Sequence, residues 1–140
     1  MRLKIMRLKT TILFFLLLTG LFLAACSAKE SNIVIEATNL DLGHVVNGEI
    51  VSRELAVRNE GQADLVIGSV TTSCGCTQAT LTPMTLTPGE SGVLHIEFDS
   101  GAHGPELTGQ LIRQVFVTSN DPTQPEAQIE LTVFVDPKSS

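Results

Sequence analysis

The sequence predicts an all-β domain: a two-sheet sandwich of about seven short antiparallel strands, behind a helical signal peptide. Three observations carry this expectation. Apolar and polar residues alternate with period two in several runs after residue 33, the mark of a half-buried strand. Turn residues punctuate these runs roughly every 12 to 18 residues, room for one strand each and not for a crossover helix. The same region carries no apolar repeat of helical period. About seven short strands in about 105 residues make an immunoglobulin-like sandwich.

The elements follow in chain order. Arg2, Lys4, Arg7 and Lys9 crowd the first ten residues, and Ile12 to Ala25 is then apolar apart from Thr19 and Gly20. Fourteen helical residues rise about 21 Å, short of the roughly 30 Å hydrocarbon core of a bilayer. A basic start, a short apolar run and small residues at its end form an export signal, in preference to a retained anchor. Leu23-Ala24-Ala25-Cys26 then resembles a bacterial lipobox. That resemblance implies cleavage before Cys26, a diacylglyceryl group on its sulfur and acylation (palmitate or similar) of the new amine. Two or more chains anchor stably where one would exchange. Residues 1–25 are thus read as a cleaved lipoprotein signal peptide and residues 26–32 as a lipidated cysteine with a short polar tether. Residues 33–136 are the sandwich and 137–140 a tail.

Within the sandwich, Leu55 and Val57 share a face opposite Glu54, Ala56 and Arg58. Leu94, Ile96 and Phe98 share another, and Ile129, Leu131, Val133 and Val135 a third. Asn47-Gly48 suits a two-residue type I′ hairpin, in which both residues take positive φ. Trp is absent and Cys74 and Cys76 are too close in sequence to tie two sheets together, so aliphatic burial must hold the core.

Charge and composition exclude several functions. Past the leader, five basic residues (Lys29, Arg53, Arg58, Arg113, Lys138) face fifteen acidic ones, a net of −10. Such a domain repels phosphate backbones, so nucleic acid is not expected as a partner. Anionic lipid repels it too, so it stands off the membrane that Cys26 holds it to. Phe98, Phe116 and Phe134 are the only mature aromatic residues apart from histidine, too few for a stacking platform. No Ser/His/Asp arrangement is suggested, and Ser91 is not in a nucleophile elbow. The expectation is therefore a non-enzymatic protein with no resident cofactor and an unidentified protein partner. It would sit on a cell membrane or outer membrane, facing periplasm or exterior. Ser27 is not the Asp that retains lipoproteins at an inner membrane.

Asp41-Leu42-Gly43, Asn59-Glu60-Gly61, Ser73-Cys74-Gly75-Cys76-Thr77, Pro88-Gly89-Glu90-Ser91-Gly92 and Thr118-Ser119-Asn120-Asp121-Pro122 form one pattern. It resembles a bacterial family of exported domains of unknown function marked by Ser-Cys-Gly-Cys-Thr. The resemblance covers about residues 33–136. It implies a sandwich of the ASH/MSP/PapD type and an export route, and it implies no reaction. The segment from Gly101 to Thr108 is longer than a plain strand connection.

Cys74 and Cys76 are the chemically informative pair. Fully extended, their Cα atoms would lie about 6.5 Å apart, the upper edge for a disulfide, and Gly75 lets the chain fold tighter. Four readings stay open. A local disulfide or buried thiol pair with a structural role comes first. A Cu(I) or Zn(II) site comes second; zinc wants four ligands, whereas two thiolates can hold Cu(I). A redox pair lacks the two-residue spacer and helix N-terminus that tune oxidoreductase thiols. The fourth is an intermolecular disulfide. His44, His95 and His103 are the only imidazoles to add. Asp99, Glu106 and Asp121 lack the spacing of a calcium loop.

The anchor is testable. Cys26→Ser is expected to leave the precursor uncut or release the protein from the membrane fraction. If that variant is processed and fractionates like the parent, the lipobox reading fails.

Overall fold

The computed structural model describes residues 28–139 and forms a two-sheet sandwich of nine strands, with no helix among the described residues. The signal peptide and Cys26 lie outside them. In chain order the strands are β1 (Ile33–Ile35), β2 (Asn39–Val46), β3 (Ile50–Asn59), β4 (Leu65–Thr72), β5 (Thr77–Thr82), β6 (Thr85–Leu86), β7 (Ser91–Asp99), β8 (Gly109–Ser119) and β9 (Glu126–Asp136). One sheet runs β1-β3-β7-β5 and the other β2-β9-β8-β4-β6. The count exceeds about seven because β1 and β6 are only three and two residues long.

Two expectations are corrected here. First, β2 pairs with β9 in parallel, whereas every other pair is antiparallel. Second, Asn47-Gly48 closes no hairpin. It joins β2 in one sheet to β3 in the other, and only Gly48 has positive φ, +95°. The chain in fact changes sheets at every connection from β1 to β8. The β8–β9 link alone joins neighbours in one sheet.

The period-two faces pack as expected. Leu94, Ile96 and Phe98 from β7 meet Ile129, Leu131, Val133 and Val135 from β9, with Leu55, Val57, Val115 and Val117 beside them, all buried. Each such side chain contributes about 1.5–3 kcal/mol on burial. The core has two parts. A large one includes Leu55, Leu65, Leu94, Val115, Ile129 and Leu131, and a smaller one joins Leu42, Val45, Phe98, Val133, Val135 and Cys76.

Asn59, with 0% of its surface exposed, fastens one end of the sandwich. Its amide donates to Ala63 O and Leu86 O, both at 2.8 Å. Its side-chain oxygen accepts from Gly61 N at 2.9 Å and Asn32 N at 3.3 Å. Its own backbone N–H reaches Glu90 O, and its carbonyl accepts from Gly89 N. Gly61 is required by closeness: a methyl group there would lie 2.6 Å from Asn32 N. Gln62 N and Ala63 N both donate to Glu30 O, and Ser31 is buried. Glu30 to Asn32, expected in the tether, are therefore docked on the domain.

Asn59→Ala orphans two carbonyls and two N–H groups, each costing about 1–3 kcal/mol when buried. The variant is expected to lose about 3 kcal/mol or more in urea unfolding. A loss under about 1 kcal/mol would show that water replaces the amide.

Candidate functional site

Most of the sequence pattern serves the fold. Asp41 Oδ1 accepts from Gly43 N at 2.8 Å, fixing a bulge where Gly43 takes φ +74° and the β2–β9 register shifts. Glu90 Oε2 accepts from the N–H and hydroxyl of Thr87, at 2.8 and 2.9 Å, closing the Pro88-Gly89 turn. Those bonds hold the Glu90 carboxyl below its ordinary pKa. Asn120 accepts from Val66 N and Ser31 Oγ and donates to Asp64 O.

Asp121, considered from sequence as a cation ligand, is buried with its oxygens committed. Oδ2 accepts from Ile33 N at 2.8 Å; Oδ1 accepts from Thr123 N, Thr123 Oγ1 and Gln124 N. Burial works against its charge, but these four donors prevail and hold its pKa below the ordinary value. Asp99 Oδ1 similarly accepts from Gly101 N.

Ser73 to Cys76 stands apart, because its sulfurs meet two residues, His103 and Arg113, that line a surface hollow. This segment turns the chain from β4 into β5. Cys74 and Cys76 are joined by a disulfide, with Cα atoms 5.4 Å apart. Thr72 Oγ1 donates to Cys74 O and Thr77 O at 3.0 and 2.9 Å. Ser73 is pinned to β8 by two bonds: its N–H donates to Gln114 O, and its hydroxyl accepts from Gln114 N. Cys76 is 2% exposed and its carbonyl accepts from Asp99 N. The Nε–H of Arg113, on β8, points at Cys76 Sγ from 3.2 Å.

The loop after β7 brings His103 to this turn. Its path is set by Asn47, whose amide donates to Ser100 O, Gly104 O and Leu107 O at 3.3, 3.0 and 3.1 Å. Ser100 Oγ donates in turn to Val46 O and Glu49 O. The result places ligand atoms of Cys74, Cys76 and His103 within 4.8 Å of one another. His103, Glu106, Leu107 and Arg113 line the adjoining open hollow of about 490 Å³. His44 lies elsewhere, 3.0 Å from Asp136 Oδ2 and with its ring centre 4.8 Å from that of Phe134, the planes tilted by 33°; His95 lies 3.7 Å from Glu54 on the face of the other sheet. Sequence reasoning named His103 but could not choose it over the others, and it missed Arg113 altogether. The signal lay in Asn47, read there as hairpin chemistry.

The fold is that of an immunoglobulin-like, PapD-type sandwich. The chain belongs to the family described as protein of unknown function (DUF1573), whose model matches residues 33–135. A protein of unknown function from Porphyromonas gingivalis W83 is 26% identical, with TM-score 0.70 over 79% of this chain and 50% of that one. The chain thus spans about half the length of that protein. The ASH/PapD-like domain of human CEP192 is 12% identical, with TM-score 0.59 over 79% of this chain and 89% of that one. The E. coli chaperone DraB is 17% identical, with TM-score 0.52 over 79% and 58% respectively. The last two likenesses concern the fold alone. No curated protein matches the chain.

The Asp121 carboxylate sets a pH dependence. Its folded pKa is depressed, so its contribution is present above the unfolded value of about 3.9 and is lost as pH falls through the folded value. Stability should decline below about pH 4. Asp121→Asn is expected to be less stable at neutral pH and to show a shallower decline in acid, followed by thermal melts. An unchanged acid profile would refute the assignment.

Proposed function

We propose that this protein is a lipid-anchored, non-enzymatic binding or scaffolding module of the cell envelope, held by Cys26, that takes up an extended segment of a protein partner along β5. The observation that carries the reading is the state of the sheet edges. Natural sandwiches blunt their edges with short strands, bulges, charges or proline. Here β1 and β6 are short and β2 is bulged at Gly43. The part of β4 beyond β6 begins at a register break between Ile67 and Ser69. In contrast β5, Thr77-Gln78-Ala79-Thr80-Leu81-Thr82, keeps an unbroken register with β7 and carries no charge, bulge or proline. Such an edge can add a partner strand through its backbone.

The docked N-terminal segment supports a close anchor. Only residues 27–29 separate Cys26 from Glu30, a reach of about 14 Å. The strand register sets Arg58 against Ser91 at this end and Ile50 against Asp99 at the other. The Cys74–Cys76 turn lies at the far end, about 27 Å away along β7. In this reading it faces away from the lipid, on a membrane or outer membrane, toward periplasm or exterior.

A photo-crosslinking amino acid at exposed Gln78 or Thr80, in the native envelope, is expected to give a discrete adduct that the same group at Ile112, on the opposite sheet, does not. Thr80→Lys should suppress the Gln78 adduct with little change in stability, within about 0.5 kcal/mol. No adduct from β5, or the same adducts from Ile112, would sink the reading.

A further inference from the structure

The disulfide turn and the Asn47-held loop together place two sulfurs and an imidazole around one point. Donor atoms mutually within 4.8 Å can reach a common ion with small movements. In the disulfide the two sulfurs are bonded to each other, with the imidazole within 4.8 Å of them; once reduction lets the sulfurs part, the three donors can close on one ion at metal–sulfur and metal–nitrogen bond lengths of about 2.0–2.3 Å. As the disulfide, the pair offers no thiolate. As the dithiol it offers two, one half-buried and one buried. A buried thiolate is costly unless paired, and Arg113 Nε–H already stands 3.2 Å from Cys76 Sγ. Two soft thiolates with one imidazole suit three-coordinate Cu(I), whereas zinc takes a fourth ligand.

We propose that Cys74, Cys76 and His103 form a redox-gated Cu(I) site, closed as the disulfide and opened by reduction. An exported dithiol supplies two electrons and two protons: its own sulfurs join as a disulfide, and Cys74–Cys76 becomes two thiols. Cu(I) then displaces both thiol protons and binds the two sulfurs and a ring nitrogen of neutral His103. The complex carries one negative charge, which the Arg113 guanidinium offsets. The hollow lined by His103, Glu106, Leu107 and Arg113 is the entrance. The site adjoins the start of β5 but does not depend on partner binding there.

The test uses the full chain in detergent carrying Cys26→Ser, so that Cys74 and Cys76 are its only thiols. The protein is reduced with a phosphine, freed of reductant and titrated anaerobically with Cu(I) against a chromogenic copper chelator. The reduced form is expected to take up one equivalent and the disulfide form none. His103→Asn should weaken uptake by at least about tenfold, since losing even an outer-shell partner typically costs about 10–100-fold. X-ray absorption of the loaded protein should show two sulfurs and one nitrogen, with the nitrogen lost in His103→Asn. Cys74→Ser/Cys76→Ser should abolish uptake. His103 is exposed, so its variant remains informative even if the double cysteine variant does not fold. Equal uptake by both redox forms, an unaffected His103→Asn, or displacement of Cu(I) by equimolar Zn(II) would each overturn the assignment.

Discussion

One buried amide organises an entire end of this sandwich. Asn59 satisfies all four of its side-chain hydrogen-bonding positions within the protein, and in doing so joins the N-terminal segment, the turn after β3, the end of β6 and the turn before β7. These segments are otherwise irregular backbone, which the sheets cannot satisfy. A buried N–H or carbonyl without a partner is costly, so irregular chain can be packed inside only where a side chain completes its bonding. Asn59, Asn120 and Asp121 do this at one end, and Asn47 with Ser100 at the other. The aliphatic core supplies most of the driving force, but these polar groups decide which loops can lie against it.

This division explains what was legible in the sequence. The buried faces of β3, β7 and β9 could be read directly, because period two is a local property and Leu94, Ile96, Phe98, Ile129 and Leu131 obey it. Strand direction and pairing were not legible, because a strand reads the same whether its neighbour runs parallel or antiparallel. Hence the parallel β2–β9 pair was missed. Asn47-Gly48 misled for the same reason. Its local chemistry is that of a tight turn, whereas its use depends on Ser100, Gly104 and Leu107, more than fifty residues away. The site suffered likewise: Cys74 and Cys76 were visible as a pair, but His103 and Arg113 join them only through tertiary structure.

The recurrent motifs of the chain therefore divide into two kinds. Asp41-Leu42-Gly43, Asn59-Glu60-Gly61, Pro88-Gly89-Glu90 and Asn120-Asp121-Pro122 are spent on backbone hydrogen bonds inside the domain. Ser73-Cys74-Gly75-Cys76-Thr77 is also tied to the frame, through Thr72 and Gln114, yet its sulfurs meet a histidine and an arginine from other elements beside an open hollow.

The bonds from Asn120 and Asp121 back to Ser31 and Ile33 also impose an order in time. A chain is made from its N-terminus, so residues 31–33 exist long before the β8–β9 turn that completes them. Until then the Ile33 N–H has no carboxylate to meet, and β1 is held by its three pairings with β3 and by the bonds of Glu30 and Asn32 to the turn after β3. The contacts of the first strand of the domain are thus completed only when nearly the whole chain has been made.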